Sequence, residues 1–229
     1  MQLRILLFVL LCSSLMPYTA FGQKRGMEEE KDTTKLFQGI AVGYNLAGTV
    51  MRMVGDYGEF EGMVQVNLKD KYFPLAELGL GSAKHPTDIV TNIQAKTNSP
   101  FIRLGCDYNI AKNKHDDYRV LFGVRYGFTN FKQDISGIIE DPVWGGELSY
   151  VVDDKSISYH WGEIVFGVDA KLWGPVRLGW TFRYKRRLYA NEPEGQNLWY
   201  VPGYGMESNA LGGTFNVKIE LHKKKNDKK

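Results

Sequence analysis

Leu211-Gly212-Gly213-Thr214-Phe215-Asn216-Val217-Lys218-Ile219-Glu220-Leu221 decides the fold. Leu211, Gly213, Phe215, Val217, Ile219 and Leu221 fall on one side of the chain; Gly212, Thr214, Asn216, Lys218 and Glu220 fall on the other. Strict period-two alternation predicts a β-strand with one apolar and one polar face. A run of about ten residues is also what a tilted strand needs to cross a bilayer core. The alternation leaves open whether the apolar face meets lipid or a protein core, and the rest of the chain carries that decision.

Composition narrows the class. The chain has 229 residues, 43% of them hydrophobic, with 13 Tyr, 12 Phe, 5 Trp and 25 Gly. A mean hydropathy of −0.32 excludes a bundle of membrane helices but not a membrane barrel, whose alternating strands average out. The formal net charge of +3 gives no argument for nucleic acid. Residues 1–22 read as a cleaved secretory signal, with Arg4 before the apolar run Ile5–Leu11 and Ala20-Phe21-Gly22 as a small-x-small site. Cys12 follows a bulky Leu11 where a lipidation site needs a small residue. Beyond the signal only Cys106 remains, so no internal disulfide or cysteine metal site is expected. Residues 23–35 form a polar leader and residues 223–229 a basic tail, leaving 36–222 for one folded domain.

Seven further runs alternate in the same way: Phe37–Val50, Glu59–Leu68, Phe73–Ser82, Pro100–Ile110, Tyr118–Phe131, Ile157–Leu172 and Val176–Tyr189. Tight connections, Lys69-Asp70-Lys71, Asn113–Asp117 and Trp173-Gly174-Pro175, alternate with long ones at 83–99, 132–156 and 190–208; Val54–Gly58 reads as a short loop. This predicts an all-β, up-and-down, eight-stranded antiparallel transmembrane β-barrel with short periplasmic turns, long outer loops and both termini periplasmic.

A soluble periplasmic ligand-binding barrel would show the same alternation with its faces exchanged. Two features favour the membrane form. Glycines crowd the polar side, at Gly43, Gly79, Gly105, Gly123, Gly127 and Gly179 among others, where a narrow barrel needs room for long side chains. The same side carries both charge signs at mid-strand, namely Glu61, Glu77, Asp107, Glu163, Asp169 and Glu220 with Arg103, Arg119, Arg125, Arg177, Arg183, Lys185 and Lys218. Enclosed charges must pair, because an unpaired buried charge costs several kcal/mol. The expected lumen network is Glu77, Arg103, Asp107, Arg125, Glu163, Asp169, Arg183, Lys218 and Glu220, with Arg103, Arg125 and Arg183 pairing with Glu77, Asp107 and Glu163. Tyr44, Tyr108, Tyr126, Phe128 and Tyr184 lie outward near strand ends, where a membrane interface wants aromatics.

With its signal ending at Ala20-Phe21-Gly22 and its eight alternating strands, the chain resembles the small outer-membrane β-barrels of Gram-negative bacteria, and in style an uncharacterised family from the Bacteroidota. Such barrels end on an aromatic residue read by the assembly machinery; here Phe215, Val217, Ile219 and Leu221 supply the alternation and Lys223–Lys229 run past it. The resemblance implies an outer-membrane location among lipid and lipopolysaccharide, without nucleic acid.

Candidate chemistry is sparse. Ser158 and His160 share the outward face of one strand, the arrangement a lipid A deacylase or acyltransferase would use, but Glu163 lies on the opposite face and spoils a simple triad. His85, His115 and His222 have no metal-ligand spacing, and Asp116-Asp117 and Asp153-Asp154 read as solvated loop charges, so neither metal nor cofactor is expected. Ile138, Ile139, Val143, Trp144, Leu198, Trp199 and Tyr200 make two loops unusually apolar. In an up-and-down barrel these loops emerge together, so they form a cap over the mouth, with the 132–156 segment as an extended hairpin, or a docking surface for a protein partner. The expectation is a non-enzymatic structural or interaction subunit with a plugged, charged lumen, accessory to a larger outer-membrane assembly.

Overall fold

The computed structural model of the protein describes residues 35–85, 93–132, 134–140, 147–152, 156–191, 198–206 and 210–221. The expected signal, basic tail and, Lys35 apart, polar leader lie outside them. The described elements are β1 (Phe37–Asn45), α1 (Leu46–Val54), β2 (Tyr57–Leu68), β3 (Tyr72–His85), β4 (Ile93–Asn109), β5 (Tyr118–Phe131), β6 (Asp134–Glu140), β7 (Glu147–Val152), β8 (Ile157–Trp173), β9 (Val176–Ala190), β10 (Tyr200–Val201), β11 (Gly205–Met206) and β12 (Leu211–Glu220).

Eight of these strands close on themselves. The order β3-β2-β1-β12-β9-β8-β5-β4 is completed by pairing of β3 with β4, and every neighbouring pair is antiparallel. The up-and-down barrel read from the alternation is therefore the fold. Burial follows the period: along β5 buried and exposed positions alternate almost without a break, so side chains of one parity fill the interior and those of the other face outward. The outward face is a belt of large apolar side chains, including Leu78, Leu104, Val124, Ile164, Phe166 and Trp180.

Glycine makes the interior possible at specific points. A Cβ on Gly123 would sit 1.9 Å from Asp107 Oδ1, and one on Gly127 would sit 2.1 Å from the Trp161 ring. At the β2–β3 turn, Lys69 and Asp70 take left-handed backbone angles (φ 57° and 54°). Asn67 fixes that turn, its Oδ1 accepting from Asp70 N at 2.8 Å and its Nδ2 donating to Asp70 Oδ1 at 2.6 Å.

Three stretches differ from the sequence reading. The first strand ends at Asn45 instead of running to Val50, because Asn45 caps a helix, its Oδ1 accepting from Gly48 N at 3.3 Å. Gly48 and Gly58 let that helix, α1, lie close on β2; a Cβ on Gly58 would reach 2.2 Å from Arg52 N. Second, β3 and β4 continue into the supposed polar loop 83–99, pairing as far as His85 with Ala95. The paired segments there have only Ala83 and Ala95 as apolar residues, too small to make a visible alternation. Third, the 132–156 connection contains β6 and β7, paired as the extended hairpin that its apolar residues suggest and joined to β4 at Ile93–Lys96.

Candidate functional site

The interior is layered. At mid-height Arg103, Arg125 and Arg183 converge on acids from opposing walls. Glu77 is the hub: it lies 3.2 Å from Arg103, 3.2 Å from Arg125 and 2.9 Å from Arg183. Arg125 also binds Asp107 through both terminal nitrogens, at 2.6 and 3.1 Å, and Arg183 reaches Glu163 at 3.3 Å and Glu61 at 3.5 Å. Arg103 adds Glu59 and Glu61, both at 3.2 Å. Such forked, multiply shared pairs are the geometry in which buried arginine and carboxylate satisfy one another.

Below it, toward the short turns, lies a second cluster. Asp169 accepts from Arg177 at 2.6 Å and from Lys218 at 2.8 Å. Glu220 pairs with Arg119 at 3.0 Å and with Arg177 at 3.8 Å. Gln65 bridges the two clusters, donating to Asp107 at 3.4 Å and accepting from Lys218 at 3.4 Å. The structure thus brings together all nine residues singled out for a lumen network, and adds Glu59, Glu61, Arg119 and Arg177. Glu59 was the one missed outright; its parity with Glu61 was the available signal.

The turn end is tied off at Asp70. It meets His115 Nδ1 at 2.9 Å and Arg119 at 3.3 Å, while its carbonyl accepts from Asn109 at 3.1 Å. Burial pushes its carboxyl up, but the hydrogen bonds from Asn67 and His115 and the charge of Arg119 outweigh burial and hold it below the ordinary carboxylate range. Asp116 Oδ1 accepts from Asp117 N, and Asp117 lies 3.8 Å from Lys171. Asp153 and Asp154 lie outside the described residues.

Above the charged layer the interior turns apolar. Leu198, Val201 and Tyr204 from the β9–β12 connection pack with Phe101, Phe131, Ile157, Tyr159 and Trp161 of the barrel wall. Trp161 Nε1 donates to Glu163 at 2.7 Å and so joins this plug to the ions beneath. Gly203 lies at φ 80°, and a Cβ there would strike the Phe101 ring at 2.5 Å. Tyr200 OH donates to Gly58 O at 3.4 Å, and burial raises its phenol well above the usual range. Trp199 is half-buried, its ring 6.4 Å from that of Tyr200. Ile138 and Ile139 lie on β6, opposite Ser149 and Leu148; Val143 and Trp144 lie outside the described residues. The described contacts of Leu198 and Tyr200 are with the barrel wall.

One cavity, about 160 Å³, opens between α1 and the β10–β11 segment, with Arg103, Arg183 and Lys185 in its floor.

Ser158 and His160 do share the outward face, but each has another partner. His160 Nδ1 and Tyr126 OH are 2.6 Å apart, and the imidazole packs against Phe128 and Tyr189. Ser158 Oγ accepts from Asn130 Nδ2 at 3.2 Å. No group of His, Cys, Asp or Glu among the described residues is arranged to hold a metal ion.

The profile of a domain-of-unknown-function family, DUF6048, matches residues 3–221. The chain belongs to that family. No curated protein matches the chain, and no solved structure matches it. Membership in DUF6048 carries no activity with it, so function rests on the site itself.

Proposed function

We propose that this member of DUF6048 is a non-enzymatic outer-membrane β-barrel protein, acting as a structural or interaction subunit accessory to a larger envelope assembly. One observation carries the reading: the barrel is inverted relative to a soluble one. Glu77, Arg103, Arg183 and Asp169 are at most 1% exposed, while Trp180, Val124 and Leu78 on the outside are 69%, 56% and 61% exposed. Water-facing surfaces rarely carry so extensive an apolar belt, and a hydrocarbon surround supplies its natural solvent. A lumen crossed by ion pairs and topped by an apolar plug argues against a pore. The β6–β7 hairpin, extending the sheet beyond the barrel, supplies surface for a protein partner.

Lipid and lipopolysaccharide are the surroundings this reading implies, with the short turns and both termini on the periplasmic side. The test is fractionation of cells producing the full chain, followed by carbonate washing and electrophoresis with and without boiling. Recovery in washed outer membranes as a heat-modifiable band supports the proposal. Recovery in the aqueous fraction supports the soluble carrier instead. The lipid-enzyme reading would gain if Ser158→Ala or His160→Ala altered the cell's lipid A profile at unchanged protein level.

A further inference from the structure

The cavity at the loop end has properties that the lumen network does not explain. Of the charged side chains on the inner face, Arg103, Arg119, Arg125, Arg177, Arg183 and Lys218 each form ion pairs. Lys185 forms none among the described residues. Its ammonium has three donors, and the hydrogen bond it makes there goes to the Tyr204 carbonyl at 2.6 Å. The acid nearest the opening, Glu59, is already held by Arg103 at 3.2 Å and by Asn45 at 3.5 Å. Among the described residues, Lys185 thus keeps two donors that no acceptor takes, on the side of the cavity.

A glycine makes room for that cation itself. Gly212 lies alongside, and a Cβ there would come within 2.9 Å of Lys185 Cε and 3.1 Å of Nζ. The remaining walls include Met51, Tyr57, Met206 and Leu211, which offer apolar and aromatic surface. At about 160 Å³ the cavity matches the size that holds a single benzene-like ring.

We propose that this cavity is a binding site for a small organic monocarboxylate of aryl size, its carboxylate on Lys185 Nζ and its body between Met51 and Met206. A carboxylate accepts both remaining Lys185 donors in charge-assisted hydrogen bonds. A neutral amide of the same shape lacks the charge, and an amine would meet Lys185 as a like charge. The inference goes beyond the structural role proposed above, and its assay rests on that reading in one respect, that the barrel folds in lipid.

The probe is benzoate, with benzamide and benzylamine as isosteric controls. The full chain, folded in phospholipid nanodiscs with ¹³C-methyl methionine, is titrated by NMR. Saturable shifts of the Met51 and Met206 methyls with benzoate alone are expected. Lys185→Gln should weaken binding at least about tenfold, equivalent to about 1.4 kcal/mol, and Lys185→Arg should retain it. Gly212→Val should abolish binding, because its side chain displaces the Lys185 ammonium from its place on the cavity wall. The proposal is overturned if benzoate and benzamide titrate alike, if benzoate leaves both methyls unmoved, or if Lys185→Gln, folded as judged by its heat-modifiable band, binds as tightly as the parent.

Discussion

Glu77 and Arg183 meet at 2.9 Å although they stand on diametrically opposite walls of the barrel. β3 and β9 are four strands apart whichever way the ring of eight is counted. The pair is a strut across the lumen, and Glu77 holds Arg103 and Arg125 as well. Glu77→Leu should therefore take one carboxylate from three guanidinium groups at once, each keeping its other acids, and cost about 3–5 kcal/mol, the usual penalty for breaking a buried ion pair. Arg183→Glu should cost a similar amount, and the exchange Glu77→Arg with Arg183→Glu should recover part of it. Urea unfolding in lipid vesicles measures this. Unchanged midpoints for both single variants would show that the inner face is hydrated well enough to tolerate free charge.

The Gly127–Trp161 relationship gives a second test. The indole occupies the place a Cβ on Gly127 would need, at 2.1 Å, and no flexible chain end is available to yield. Gly127→Leu alone should prevent folding, since overpacking of this kind typically costs about 1–3 kcal/mol or more. Combined with Trp161→Gly, which empties the space, it should fold again. The heat-modifiable band reports the outcome; failure of the pair to rescue would mean that the indole is not the obstacle.

Legibility followed the contrast between the two faces of each strand. Wherever a strand separates a charged interior from an apolar exterior, period two is plain, and β5, β8, β9 and β12 could be read nearly to their ends. Where that contrast vanishes, so does the signal. Ala83–His85 pairs with Ala95–Thr97, where the only apolar side chains are two alanines, and reads as loop. Leu46–Val54 hides its helix differently: Asn45 and Gly48 are its cap and contact, yet the apolar residues after Tyr44 also suit a continuing strand. The charged residues of the lumen were visible as a face, because parity alone puts Glu77, Arg103 and Arg183 inside. Their pairing was not visible, because it depends on which strands oppose each other across the closed ring. The lone Lys185 was likewise invisible among the other basic residues of that face.

The turn-end knot at Asp70 predicts an acid limb. Its folded pKa lies below the ordinary value, so it contributes stability that is fully present above the unfolded carboxylate pKa of about 3.9 and is lost as pH falls through the folded value. Asp70→Asn should remove that contribution at neutral pH and flatten the stability curve below about pH 4. Unfolding midpoints measured from neutral to acid pH check this. If the variant kept the parent's full acid dependence, Asp70 would not be its source.

The outward belt carries the last prediction, which bears on what surrounds the barrel. Val124 lies mid-strand on β5, with Cys106 and Ile164 beside it on the neighbouring strands. Tyr118 is outward on the same strand but at the turn end, and is 64% exposed. If hydrocarbon surrounds the belt, Val124→Arg places a charge near the bilayer midplane and should cost about 2–4 kcal/mol, while Tyr118→Arg near the interface should cost about 0–1 kcal/mol. If water surrounds it, neither substitution buries a charge, and both should stay within roughly 0.5 kcal/mol of the parent. The gradient with depth separates the cases, because a general intolerance of arginine on strands would act equally at both positions. Ile164→Arg, opposite Val124, should repeat the larger effect. Folding yield and unfolding midpoint in vesicles, measured side by side for the three variants, provide the comparison. Equal and small effects would place water on the outside, remove the membrane from the proposed function, and leave a soluble barrel with an ionic core.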